Sequence, residues 1–208
     1  MSVAVKICGI QDAEALATAV EAGAAYVGFV FFKKSRNFIT SKTVAKLIDT
    51  VPRDIITTGL FVDPVDAEIK AVLADIPLQM LQLHGNETPQ RVAAIKKMTG
   101  LPVMKALRLK TPEQMQAFQP FVPVVDRFLF DSRIGDEPSG GPINWTMLKG
   151  HNFGKPWMLA GGLTAQNVAE AINQSGAEAV DVSSGVEGAD GRKNPAKIRV
   201  FIEAVGRI

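Results

Sequence analysis

The chain contains one cysteine, in the stretch VAVKICGI over residues 3–10. The residues around it alternate as in a period-two strand: Val3, Val5 and Ile7 fall on one face, Lys6 and Cys8 on the other. A lone cysteine is commonly a small buried hydrophobe. At the end of a strand and beside a lysine, the thiol can also serve as a proton acceptor, because positive surroundings bring its pKa toward neutrality. Asp131, in RFLFDS, closes a run of similar parity, with Phe128 and Phe130 on one face and Arg127, Leu129 and Asp131 on the other. A carboxyl there either caps a loop, pairs with a lysine, or acts as a general acid.

Two further stretches, MLAGGLTAQNV and AVDVSSGVEG, each run from an apolar segment through glycine into a turn. Backbone N–H groups exposed there form an anion site, which makes Gly161, Gly162, Ser183, Ser184 and Gly185 candidates to hold a phosphate. The basic loop KKSRNF offers Lys33, Lys34 and Arg36, of which Arg36 can grip a carboxylate through its fork. His84, in LQLHGNE, either contacts a ligand or orients a loop.

Composition narrows the classes of function. Lys and Arg number 23 against 21 Asp and Glu, a net charge of +2, and no basic run is long enough to track a nucleic-acid backbone. A single cysteine forms no internal disulfide, which suits a reducing cytosol, and His84 and His151 have no zinc spacing. No segment of about 18 apolar residues and no secretory leader is visible, so a soluble cytoplasmic protein is expected, with no membrane partner. Nearly half of the residues are apolar, enough for a sizeable core.

The elements that must position these residues alternate regularly. Eight strand-like runs are each followed by a helix or helix-like turn, which predicts a parallel sheet. Among the helical segments, DAEALATAVEAG closes on Gly23, PVDAEIKAVLADI takes Asp63 as its cap and Pro64 as its first residue, and TPEQMQAFQPF follows strand five. TAQNVAEAINQSG takes Thr164 as its cap. Eight units in 208 residues without a break predict one α/β domain over residues 1–208, a closed (β/α)8 barrel of the TIM type. The alternative, an open doubly wound sheet, would be expected to carry G-x-G-x-x-G after the first strand, and that motif is absent. In a barrel the active site lies at the C-terminal ends of the strands, and phosphate commonly binds after strands seven and eight. Cys8, Asp63, His84, Asp131, Gly161, Gly162, Ser183 and Ser184 all fall at that rim. The loop SRIGDEPSGGPIN after Asp131 is either a lid or a surface connection.

Taken in order, VKICGI, VGFVFF with its basic loop, TGLFVD, LQLHGNE, LFDS, LAGGLTAQNV and DVSSGVE with a following Gly-x-Lys resemble the phosphoribosylanthranilate isomerases of tryptophan biosynthesis over the whole chain. The resemblance implies an Amadori rearrangement of an aminoaldose phosphate to an aminoketose phosphate, without metal or cofactor. It implies Asp131 as general acid and Cys8 as general base. It also implies a substrate-binding set of Arg36, His84, Gly161, Gly162, Asp181, Ser183, Ser184 and Gly185, with the anthranilate carboxylate on Arg36. The sequence departs from the pattern after strand two, where Lys34-Ser35-Arg36-Asn37 lacks the residue usual between Ser and Arg. It also departs after Asp131, where Gly140-Gly141-Pro142-Ile143-Asn144-Trp145 is shortened. Three rival readings fit less well. An indoleglycerol-phosphate synthase needs a Lys/Glu set, and an epimerase needs metal-binding His and Asp at several strand ends. A non-catalytic sugar-phosphate binder would have no use for both Cys8 and Asp131. The oligomeric state is not legible.

Overall fold

The computed structural model describes residues 3–109, 112–131 and 145–208. Eight parallel strands close into a barrel in sequential order: β1 Ala4–Cys8, β2 Tyr26–Val30, β3 Ile56–Phe61, β4 Met80–Leu83, β5 Val103–Arg108, β6 Arg127–Asp131, β7 Trp157–Ala160 and β8 Ala179–Val182. Closure pairs β1 with β8, with Lys6 and Asp181 as Cα partners. The helices outside the ring are α1 Ala13–Glu21, α2 Ser41–Ala45, α3 Asp66–Asp75, α4 Pro89–Thr99, α5 Val168–Ser175 and α6 Pro195–Gly206. None is long and apolar enough to cross a membrane.

Strand parity sorts the core into two sides. Val5, Ile7, Phe128 and Phe130 join the large cluster between sheet and helices. Tyr26, Met80, Met104, Leu129 and Met158 fill the lower barrel interior. Above them lies a buried polar layer, with Lys6, Thr58 and Gln82 fully enclosed and Asp181 nearly so. Cys8, Val30 and Leu60 follow at the mouth. Each layer takes residues two apart on a strand, as the pleat requires.

Three local expectations are corrected. Helix α3 begins at Asp66, not Pro64, because Glu68 accepts a bond from the Val65 amide at 3.0 Å and so closes the first turn two residues later. Asp63 instead takes φ +46° and accepts from the Asn86 amide at 2.6 Å. Thr164 does not cap α5 through its side chain. The Asn167 carboxamide accepts from the Thr164 amide at 2.8 Å, and the helix starts at Val168. After β5 the chain makes two short 3-10 turns, Pro112–Gln116 and Gln119–Phe121, in place of a helix. Pro120 has no amide hydrogen and clashes with a preceding turn, so a regular helix is interrupted there. Aromatic packing covers this side: Phe118 meets Phe128 at 5.8 Å and Phe153 at 5.1 Å, and Phe153 meets Phe130 at 4.4 Å. The expected lid SRIGDEPSGGPIN, residues 132–144, lies outside the described residues.

One buried ion pair ties the end of β4 to β5. Lys105, on the outer face of β5, donates to the Gly85 carbonyl and to Glu87 Oε2, both at 2.8 Å. Glu87 also accepts from the amides of Asp63 at 2.9 Å and Gly85 at 3.0 Å. Both side chains are almost fully buried. Losing one partner of such a pair strands a charge away from water. Lys105→Met is therefore expected to lower unfolding stability by about 3–5 kcal/mol, measured by urea denaturation. A shift within experimental error of wild type would contradict this reading.

Candidate active site

A cavity of about 410 Å³ opens at the C-terminal end of the barrel. Its depth is set by the polar layer. Lys6 donates to Asp181 at 2.8 Å, and its side chain has no exposed surface. Burial works against the Lys6 charge, but Asp181 and Cys8 outweigh it and hold the ammonium above its ordinary range. Cys8 lies one strand period above, in the cavity wall, facing Gly28 on β2. A Cβ at Gly28 would lie 3.1 Å from Lys6 Nζ and 3.2 Å from Cys8 Sγ, so glycine leaves room for both. Burial pushes the Cys8 thiol up, and the hydrogen-bonded Lys6 ammonium, with Lys193, pulls against it.

Asp131 ends β6 and lines the same cavity. His84 Nε2 stands 3.5 Å from Asp131 Oδ2, and Gln82 Nε2 lies 3.1 Å from His84 Nδ1. With the Gln82 amide donating, Nδ1 accepts and the ring proton sits on Nε2, facing the carboxyl. Between Cys8 and Asp131 around the ring lie only β7 and β8. Their loops supply Gly161 and Gly162, both with positive φ, and Ser183 and Ser184, all in the cavity wall. Gly185 sits just behind, where a Cβ would collide with the Leu163 carbonyl oxygen. The two phosphate-type loops therefore pack directly against each other. Across the mouth, Val30, Phe32, Leu60 and Val62 form an apolar shelf.

Of the residues singled out in the sequence, Cys8, His84, Asp131, Gly161, Gly162, Asp181, Ser183 and Ser184 come together in this one cavity. Arg36 does not. Its guanidinium pairs with Glu187, its side chain is 64 % exposed, and it is absent from the cavity wall. The physical reason is a buried carboxylate 151 residues away in sequence. Glu187 accepts from Lys193 at 2.7 Å and from Asn37 Nδ2 at 3.2 Å. Burial opposes its charge, but these donors and Arg36 hold the carboxyl below its usual range. Asn37 and Ser35, on either side of Arg36, face the cavity instead. Lys193 also donates to Ser183 Oγ at 3.1 Å, which couples this cluster to the loop after β8.

Sequence reasoning did not assign roles to Lys6, Gln82, Asn37, Arg108, Glu187 or Lys193. Parity placed Lys6 on the inward face with Cys8, and the same rule reaches Gln82 and Arg108, since each lies two residues from another inward position. Nothing local marks Glu187 and Lys193 as buried partners. Among the described residues, no cluster of three or more His, Cys, Asp or Glu could hold a metal ion.

Comparison with known proteins gives a consistent result. The family model for N-(5'-phosphoribosyl)anthranilate (PRA) isomerase matches residues 5–204. The N-(5'-phosphoribosyl)anthranilate isomerase of Paramagnetospirillum magneticum is 50% identical over 98% of this chain and 97% of its own length. That of Paracoccus denitrificans is also 50% identical, over 97% and 96%. The crystal structure of phosphoribosyl anthranilate isomerase from Thermotoga maritima superposes with a TM-score of 0.90 at 30% identity, covering 99% of this chain and all of that one. A phosphoribosyl anthranilate isomerase in complex with reduced 1-(o-carboxyphenylamino)-1-deoxyribulose 5-phosphate superposes at 0.86, with 30% identity and the same coverage. A closed eight-stranded barrel, a rim cavity built as described and these similarities agree: the chain belongs to the N-(5'-phosphoribosyl)anthranilate isomerase family.

Proposed function

We propose that the chain catalyses the Amadori rearrangement of N-(5'-phosphoribosyl)anthranilate to 1-(2-carboxyphenylamino)-1-deoxyribulose 5-phosphate in tryptophan biosynthesis, with Asp131 as general acid and Cys8 as general base. The observation that carries this reading is the shared cavity. A thiol from β1 and a carboxyl from β6 face one space, and the strands between them end in loops suited to phosphate.

The chemistry follows from that placement. Phosphate binds against the glycine and serine loops after β7 and β8, and the ribose lies between Cys8 and Asp131. Asp131 gives a proton to the ring oxygen, the C1–O bond breaks, and the nitrogen lone pair forms the Schiff base. Cys8, as thiolate, removes the C2 proton and the electron pair passes to nitrogen, giving the enolamine. Loss of the proton from the C2 hydroxyl and gain of one at C1 complete the ketone. C2 is oxidised and C1 reduced within one molecule, so the step balances with protons alone.

Lys6 is central to the second proton transfer. Burial favours the neutral thiol, and the adjoining ammonium is what makes a thiolate accessible there. His84 donates toward Asp131 and fixes the direction of its carboxyl. Asp181 holds Lys6 in place and completes the cavity floor.

Cys8→Ala and Asp131→Asn should each lower kcat by about 10²–10⁴-fold, the usual worth of a general acid or base. Affinity for a reduced product analogue should survive in both, as measured by calorimetry alongside the fluorescence loss of the anthranilate substrate. Rates near wild type in both variants would refute the assigned roles. The base must lose its proton to work, so the wild-type kcat/KM should climb with pH through the neutral range toward the raised thiol pKa. The small residual rate of Cys8→Ala should lack that climb. Gly185→Ala should push the two loops apart and raise KM by on the order of 10-fold, as expected for lost charge-assisted bonds, with weaker inhibition by inorganic phosphate. Unchanged KM and inhibition would mean phosphate binds elsewhere.

A further inference from the structure

The proposed acid exists in two forms during each turnover. Asp131 begins as a carboxylic acid and is left as a carboxylate, and the two forms ask opposite things of a neighbour. A carboxylic O–H needs an acceptor, whereas a carboxylate needs a donor. His84 Nε2 is the ring nitrogen that faces it, 3.5 Å from Oδ2, and catalytic hydrogen bonds are often this long before substrate binds. A neutral imidazole offers either a donor or an acceptor at Nε2, and the bond made by Nδ1 decides which.

Nδ1 has the Gln82 carboxamide as its neighbour, at 3.1 Å. Gln82, on β4, is fully buried and lines the cavity. With its amide nitrogen toward the ring, its Oε1 is enclosed and has no hydrogen-bond partner among the described residues. That orphaned oxygen is informative. A carboxamide bonded on both sides is locked in orientation, and the tautomer of a histidine beside it is locked as well. Here the contact with His84 alone orients the group. A half-turn about the last side-chain torsion exchanges oxygen and nitrogen within nearly the same volume. Oε1 then accepts from Nδ1–H, and His84 Nε2 becomes an acceptor.

We propose that the Gln82 carboxamide turns over with the protonation state of Asp131, so that His84 accepts from the acid while it holds its proton and donates to the carboxylate once the proton has gone; this rests on the function proposed above. Gln82 is thus a positioning residue, acting on Asp131 through His84. The ring keeps one proton throughout: Nε2 gains one from water and Nδ1 releases one to water, which reaches His84 through the 21 % of its side chain that is exposed. The other ionisable groups of the cavity wall are Arg108, beside Asp131 on β5, Cys8 on β1 and Asp181 on β8, with Lys6 beneath. Behind His84 stand Asp63, Glu87 and Lys105, each already engaged with a backbone group. Gln82 is neutral, so it follows Asp131 without adding a charge to this set.

The chain has two histidines, so His151→Asn leaves His84 as its one imidazole. The test follows the nitrogen-15 resonances of that ring and of the Gln82 side chain against pH. As acidification takes Asp131 through its titration, the proton should move from Nε2 to Nδ1, and the Gln82 amide should shift in step. Asp131→Asn should abolish both changes. One tautomer at every pH, protons on both nitrogens in place of the exchange, or an unmoved Gln82 amide would overturn the proposal. Gln82→Met, with its folding checked by circular dichroism, should lower kcat by about 3- to 10-fold, the net worth of one hydrogen bond, with KM unchanged. An undiminished kcat in the folded variant would contradict the role. If that variant did not fold, the resonances of His151→Asn would decide the matter alone. A chain that failed to turn over N-(5'-phosphoribosyl)anthranilate would end the proposed reaction, while the resonances would still show whether Gln82 follows Asp131.

Discussion

Lys6 and Asp181 meet at 2.8 Å inside the barrel, and the lysine side chain has no exposed surface. An isolated ammonium at that depth would give up its proton, because burying a charge without a partner is far costlier than neutralising it. The pair is held by the closure of the sheet, since Lys6 and Asp181 are Cα partners on β1 and β8. Closing the ring thus places a positive charge beneath Cys8. A well-packed apolar pair of similar volume would often be as stable. The ion pair supplies a field at the bottom of a cavity, where little water is present to screen it.

The rim is organised by charge in the same way. Glu187 draws Lys193, Asn37 and Arg36 together and so joins the loop after β2 to the segment that follows β8. On the far side, Glu87 and Lys105 gather the backbone amides of Asp63 and Gly85 and the carbonyl of Gly85, which fixes the turn directly after His84. Each cluster centres on a buried carboxylate that collects donors from elements distant in sequence. Loops on a barrel rim are otherwise free to vary, and these clusters hold the residues between them in register with the strands. The cavity keeps its shape because its floor and both flanks are pinned ionically.

What could be foreseen in the sequence followed strand periodicity. Val5 and Ile7 against Lys6 and Cys8, and Phe128 and Phe130 against Leu129 and Asp131, segregate as the pleat demands, and this identified both proposed proton-transfer groups. The glycines and serines after β7 and β8 were visible for a similar reason, because turns that expose amides need particular residues. What could not be foreseen depends on partners far along the chain. Arg36 was expected on a ligand and is held by Glu187, a contact with no local sign. Asp63 was expected to cap a helix, but the Asn86 amide takes its carboxylate and Glu68 closes the first turn instead. The segment TPEQMQAFQPF has helical composition up to Pro120, and its packing is completed by Phe153 from a later loop.

The central claim is that the buried ammonium of Lys6 governs the ionisation of Cys8. Because Cys8 is the only cysteine in the chain, its titration can be followed without interference, as the pH dependence of its alkylation by iodoacetamide. Wild type and Lys6→Met should be compared, with folding of the variant checked by circular dichroism. The account predicts that the inflection moves to higher pH when Lys6 is replaced, because burial then acts on the thiolate with its nearest cation removed. An inflection at the same pH in a folded variant, or one moved lower, would contradict it.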